Sequence, residues 1–142
     1  MERREFIKAG CGLCASLATI GAVGSLLEGC KPGELIFNTT PTDGNISVPL
    51  EKFLHNKYVV VRLKHLEYDL LLVKENESTF NTLAMQCTHR QQPLVVTSTG
   101  LICNEHGSRF DLSGNVTRDP ATKPLIKFKT ELDGLNVVIH LS

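Results

Sequence analysis

The sequence has no excess of charge of either sign: 15 Lys and Arg stand against 15 Asp and Glu in 142 residues. No global field therefore draws the chain onto nucleic acid or holds it on an anionic membrane, and its partners have to be argued from local sites. It has no internal repeat and no low-complexity segment. Beyond residue 30 no long helical pattern with caps occurs, which excludes a helical bundle. No separate catalytic domain is expected, because a length of 142 residues is that of one domain with one core. Hydrophobic residues at 42% and charged residues at 21% form an ordinary globular mixture, which argues against disorder. Cysteine is informative because it is odd in number: five residues, at 11, 14, 30, 87 and 103, fall into an N-terminal group and a distant pair.

The N-terminal group belongs to an address. Basic residues, an apolar stretch from Ala9 to Leu27 and small residues ahead of Cys30 form a secretory layout. Arg3-Arg4-Glu5-Phe6-Ile7-Lys8 resembles the twin-arginine signal, a route that carries proteins already folded around a cofactor. Leu27-Glu28-Gly29-Cys30 resembles a bacterial lipobox, with Cys30 receiving lipid and becoming the first mature residue, although Glu28 is unusual there. Residues 1–29 are then a signal peptide and 30–44 a lipid-anchored linker. An exported protein held on a bacterial membrane, on its periplasmic or outer side, is expected. The alternative is that Ala9 to Leu27 is kept as a spanning anchor, since roughly 20 apolar residues cross a bilayer. Cys11 and Cys14 lie inside the stretch that cleavage discards and read as ordinary apolar residues. Cleavage before Cys30 leaves 142 − 29 = 113 residues.

The remainder reads as short strands. Lys31 to Asp43 is rich in Pro, Gly, Thr and Asn, as a tether is, with one apolar run at Leu35-Ile36-Phe37. From Asn45 the domain begins: Ile46, Val48 and Leu50 alternate with polar neighbours, and Tyr58–Leu63 and Tyr68–Val73 are β-rich runs, read as consecutive antiparallel strands. Phe80 to Met85 is a further candidate. Leu94 to Ile102 forms a hairpin about Thr97–Gly100. Turns follow at Ser113-Gly114-Asn115 and Asp133-Gly134, and Leu135 to Leu141 is the last strand. The expectation is an all-β sandwich or small barrel over residues 45–142.

Two short motifs carry the chemistry. Cys87-Thr88-His89 and Cys103-Asn104-Glu105-His106 each begin where a candidate strand ends, with 13 residues between His89 and Cys103. Loops at one end of a sheet can meet, and two thiolates with two imidazoles are the ligand set in which His₂ replaces Cys₂ on one iron of a 2Fe-2S centre. Two other readings stay open. Zinc in a structural module also takes Cys₂His₂, though usually from a Cys pair followed by a His pair. A Cys87–Cys103 disulfide leaves both histidines unexplained. His55, His65 and His140 lack such neighbours and receive no role; Arg90, Gln91 and Gln92 read as an exposed loop tip.

The surrounding residues resemble the Rieske family from about Asn45 to the C-terminus. The resemblance rests on Cys87-Thr88-His89, on Cys103-Asn104-Glu105-His106-Gly107-Ser108-Arg109-Phe110-Asp111, on Ser113-Gly114-Asn115-Val116, and on Pro120-Ala121 with Pro124-Leu125. It implies an antiparallel sandwich or barrel with two loops at one end holding a 2Fe-2S cluster on Cys87, His89, Cys103 and His106. By the same resemblance, Gly107 lets the backbone approach the cluster, Ser108 donates to a bridging sulfide, and Pro120 with Ala121 covers the cluster. Quinol-oxidising members carry an extra cysteine in each loop and a tyrosine donor; here those positions are Gln92, Glu105 and Phe110. The chain is thus more similar to ferredoxin-type members. The expected function is one-electron transfer by a membrane-tethered carrier working with a redox partner protein or complex. The alternative is a stable subunit of an oxidoreductase complex of cytochrome bc or arsenite oxidase type.

Overall fold

The computed structural model describes residues 35–142, so the twin-arginine motif, Cys11, Cys14 and Cys30 lie outside the described residues. Twelve strands run through it. β1 (Ile36–Thr39) and β2 (Asn45–Pro49) lead into a 3-10 turn at Leu50–Phe53, after which β3 (Tyr58–Leu63), β4 (Leu70–Lys74) and β5 (Phe80–Ala84) follow. Then come β6 (Val95–Thr97), β7 (Gly100–Ile102), β8 (Arg109–Phe110) and β9 (Val116–Arg118). β10 (Lys127–Phe128), β11 (Thr130–Asp133) and β12 (Asn136–His140) complete the chain. The strands form three open sheets with orders β1-β3-β4-β5-β10, β11-β12-β2 and β6-β7-β8-β9. The all-β expectation holds, as a sandwich rather than a closed barrel.

β4 explains the arrangement. Its run Leu70-Leu71-Leu72-Val73 does not alternate with polar residues, and all four side chains are buried. A strand reads this way when both faces are covered. Leu70 and Leu72 pack into a basal core with Ile46 and Val48 of β2, Val59 and Val61 of β3, Phe80, and Val137 and Ile139 of β12. Leu71 and Val73 point into a second core with Leu83, Met85, Leu94, Leu101, Phe110 and the two cysteines. Burying each such side chain stabilises the fold by about 1.5–3 kcal/mol. One strand is thereby the shared wall between a basal layer and the layer that carries Cys87 and Cys103.

Two details differ from the sequence reading, and the partner of β2 was not read from it. β2 does not pair with β3 but crosses to β12, with Ile46 opposite Ile139 and Val48 opposite Val137. Strand β4 starts at Leu70 rather than Tyr68, while Asp69 still meets its cross-strand neighbours: its carboxylate takes two Arg62 N–H groups and its carbonyl takes the Met85 amide. Leu35-Ile36-Phe37, read as part of the tether, runs into strand β1, which pairs parallel with β3 from Ile36–Val60 to Thr39–Leu63. Phe37 gives that edge strand its hold by packing on the basal core.

Candidate metal centre

Each cysteine opens a loop built by the same two backbone bonds. In the first, the Cys87 amide donates to Gln92 O at 2.8 Å and the Gln91 amide donates to Cys87 O at 2.7 Å. In the second, the Cys103 amide donates to Ser108 O and the Gly107 amide to Cys103 O, both at 2.9 Å. The closing residue has left-handed backbone in both loops, φ 56° at Gln91 and 80° at Gly107. Such a turn bends the chain back at once and leaves the three residues after each cysteine exposed or half-buried at the tip.

The ligand types separate by depth. Cys87 and Cys103 are each only 1% exposed, share the second core, and are free thiols. His89 and His106 are exposed, and their rings meet edge to face with centroids 5.0 Å apart and planes at 87°. Of the four residues singled out from the sequence, the two cysteines thus share one buried core and the two histidines meet at the surface. Arg90, Glu105, Asp119 and Lys123 are exposed in or near these loops, and Arg109 and Arg118 are exposed on the adjoining strands. The remaining histidines stand apart from this site. His55 and His65 are exposed, whereas His140 is held by Asn45 Oδ1 and Glu131 Oε1, both at 2.8 Å, and ties β12 to its neighbours.

A third segment is fastened across both loops. Ser108 is fully buried, and its Oγ accepts the Ala121 amide at 3.0 Å. Thr88 Oγ1 donates to Lys123 O at 2.7 Å. Residues 121–123 thus hold one loop through Ser108 and the other through Thr88. Pro120 is exposed at the edge of this strap, and Ala121 is buried beneath it. Phe110 is 1% exposed behind the cysteines. Its strand lies so close to the hairpin that a Cβ at Gly100 would overlap the Phe110 carbonyl oxygen. The part played by Thr88 and Lys123 was not read from sequence, since a threonine and a backbone carbonyl 35 positions apart leave no signal in it.

The donor set fits a two-iron cluster. Among the described residues no three His, Cys, Asp or Glu side chains gather closely enough for one metal ion, but a mixed-ligand 2Fe-2S centre asks for two pairs, Cys₂ on one iron and His₂ on the other. Two unpaired buried thiols and a separate imidazole pair answer that demand. The Ser108 hydroxyl supplies an independent check: it accepts a hydrogen bond but donates none among the described residues. Its hydrogen is left for an acceptor such as a cluster sulfide, and a buried hydroxyl normally uses its donor.

Comparison with known proteins agrees. No curated protein sequence is similar enough to count as a relative. Among solved structures, the plasma membrane Rieske protein PetC3 of Synechocystis PCC 6803 is similar at TM-score 0.56 and 18% identity, over 66% of this chain and 97% of that one. A chain from the complex of reduced oxygenase and oxidized ferredoxin in carbazole 1,9a-dioxygenase gives 0.54 and 18%, over 70% and 95%. The ferredoxin of carbazole 1,9a-dioxygenase from Nocardioides aromaticivorans IC177 gives 0.50 and 17%, over 67% and 94%. These identities speak to the fold alone. The sequence itself matches the Rieske [2Fe-2S] domain over residues 47–129, a span that takes in both loops and the strap between them. Matched over more than half its length, the chain belongs to the Rieske family, and its cofactor is a 2Fe-2S cluster.

Proposed function

We propose that this chain is an exported, lipid-tethered one-electron carrier whose cluster is held by Cys87 and Cys103 on one iron and by His89 and His106 on the other. The observation that carries the reading is the division by depth: two free thiols at 1% exposure and two exposed imidazoles in contact. The cluster supplies one-electron exchange. The protein's part is to exclude water from the sulfur side with Phe110, Leu101 and Ala121, and to fix both loops through the strap. It also presents the histidines, whose ring nitrogens outside the ligand bonds can take a proton at the surface where a partner docks.

A ferredoxin-type carrier is favoured over a quinol-oxidising subunit because Gln92 and Glu105 stand where that branch has cysteines and Phe110 where it has tyrosine. Export and tethering rest on the twin-arginine motif and Cys30. The partner is a redox protein or complex on the same side of the membrane. Purified holoprotein should contain about two irons per chain and, once reduced, give the low-average-g resonance of a His-ligated cluster. Stoichiometric zinc in protein made with ample iron would rule the reading out.

A further inference from the structure

Two leucines stand in solvent at the end of the domain remote from the metal centre: Leu54 is 74% exposed and Leu135 79%. They come from distant parts of the chain. Leu50 donates its amide to Leu135 O at 2.9 Å, and the 3-10 turn carries the chain from Leu50 to Leu54, a rise of about 8 Å. On the inner side of that turn Phe53 is buried edge-on against Phe80, so neither exposed leucine is needed to fill the core. Isolated exposed leucines are ordinary. These two acquire meaning from where the tether arrives.

The register defines the two ends of the β3–β4–β5 sheet. Tyr58 lies opposite Val73, and Phe80 opposite Lys74, at the basal end, where the Lys74 amide also donates to Lys57 O. Leu70 lies opposite Ala84 at the other end, and from there the chain continues through Met85 to Cys87. Since Cys87 is seven residues beyond Phe80, the metal centre lies roughly 20 Å from the basal end at strand rise. β1 runs parallel to β3, and Leu35 O accepts the Val60 amide at 2.7 Å. The described chain therefore starts at the basal end, the end at which the turn through Leu54 leads into Tyr58 of β3. Cys30 is five residues earlier, a span of at most about 17 Å even fully extended.

We infer that Leu54 and Leu135 form a basal foot resting on the bilayer that holds the Cys30 lipid, so that the histidines face away from the membrane. The inference rests on the lipid-tether reading. The neighbouring charges are mixed, Glu51 and Asp133 against Lys52 and Lys57, so the contact is apolar and does not depend on anionic lipid. A foot of this kind halts the tumbling that a short tether alone permits and presents the centre to partners in the aqueous phase.

The chain contains no tryptophan, so one introduced tryptophan is the sole reporter. The full-length chain, processed in its host membrane and purified with its lipid, is placed in phosphatidylcholine vesicles with or without acyl-brominated lipid. Leu54→Trp and Leu135→Trp should each show blue-shifted emission that bromine quenches, whereas Glu67→Trp, exposed at the opposite end, should show neither. Adding Leu135→Glu to Leu54→Trp should reduce the quenching. If protein that floats with the vesicles has unquenched tryptophans, the foot is overturned and the anchor stands. A blue shift in the vesicles that bromine does not quench would put protein, not lipid, on the leucines and equally overturn it. Wild-type protein that fails to float overturns the anchor itself, and the foot with it.

Discussion

Gln91 and Gly107 are counterparts: each is the fourth residue after its loop's cysteine, each has left-handed backbone, and each donates its amide to that cysteine's carbonyl. The loops thus share one frame, yet His89 is the second residue of its loop and His106 the third. This offset gives the two rings different starting points on equivalent backbones, and they meet nearly at right angles, 87°, rather than stacked. Only Gly107 meets the left-handed requirement without a side chain.

Gln91 therefore carries strain that glycine would relieve. A left-handed residue other than glycine costs about 1–2 kcal/mol, and the greater freedom of unfolded glycine returns about 0.5–1 of it. Gln91→Gly should stabilise the holoprotein by about 0.5–1 kcal/mol, read as a Tm higher by a few degrees. Gly107→Ala should do the reverse. A Cβ there meets nothing within 4 Å, so its cost of about 1–2 kcal/mol is backbone strain alone. A Gln91→Gly variant less stable than wild type would show that the Gln91 side chain does something the loop needs.

Much of the architecture was legible because it is written in side-chain pattern. Tyr58–Leu63 is a strand with the bounds expected of it, and the unbroken apolar run after Asp69 marks the strand covered on both faces. What escaped has too little length or no local cause. β8 has two residues and β9 three, too few for any period to show, and both exist because the hairpin at Gly100 lets Phe110 approach. The parallel pairing of β1 depends on a partner more than 20 residues away. At the site, Cys and His could be singled out because their chemistry is restrictive. The strap could not, because its bonds to Thr88 and Ser108 use backbone groups that every residue has.

Acid should expose the turn after β8. Asp111 Oδ1 accepts the amides of Ser113 and Asn115 at 2.9 and 2.8 Å, and Oδ2 accepts Asn115 Nδ2 at 3.1 Å. Burial works to raise this carboxyl, but the Asn115 side chain, then the two amides and the Lys127 charge, outweigh it and hold it below 3.8. Because the folded value lies below the unfolded one, the stabilisation is full above about pH 4 and is lost as pH falls through the folded value. Asp111→Asn keeps the Oδ1 acceptor but cannot titrate. Its denaturation midpoint should decline less steeply below pH 4 than that of wild type; acid lability of the cluster is common to both, so the difference isolates Asp111. Parallel profiles would remove Asp111 from the acid response.

The reduction potential tests the surroundings proposed for the cluster. Rieske centres span about −150 to +300 mV, and hydrogen bonds to the sulfurs are among the main controls. Such a donor stabilises the added electron and raises the potential. In this chain the buried Ser108 hydroxyl, fixed by Ala121, has a hydrogen to give, whereas Phe110, packed in the same core as both cysteines, has none. One donor instead of two, with no disulfide between the loops, places the expected value below about +100 mV at neutral pH. Phe110→Tyr should raise it. A hydrogen bond to a charged group contributes about 1.5–3 kcal/mol, of which only the difference between oxidation states counts, roughly 1 kcal/mol. At about 59 mV per 1.4 kcal/mol that is a rise of about 40 mV. Ser108→Ala should lower the potential by a similar amount, and its loss of the Ala121 bond should also loosen the strap, seen as faster bleaching by a chelator. Voltammetry of the three proteins across pH distinguishes the readings. A wild-type potential near +300 mV, or potentials indifferent to both substitutions, would mean that neither side chain governs the cluster sulfurs, and a quinol-oxidising subunit would become the better account.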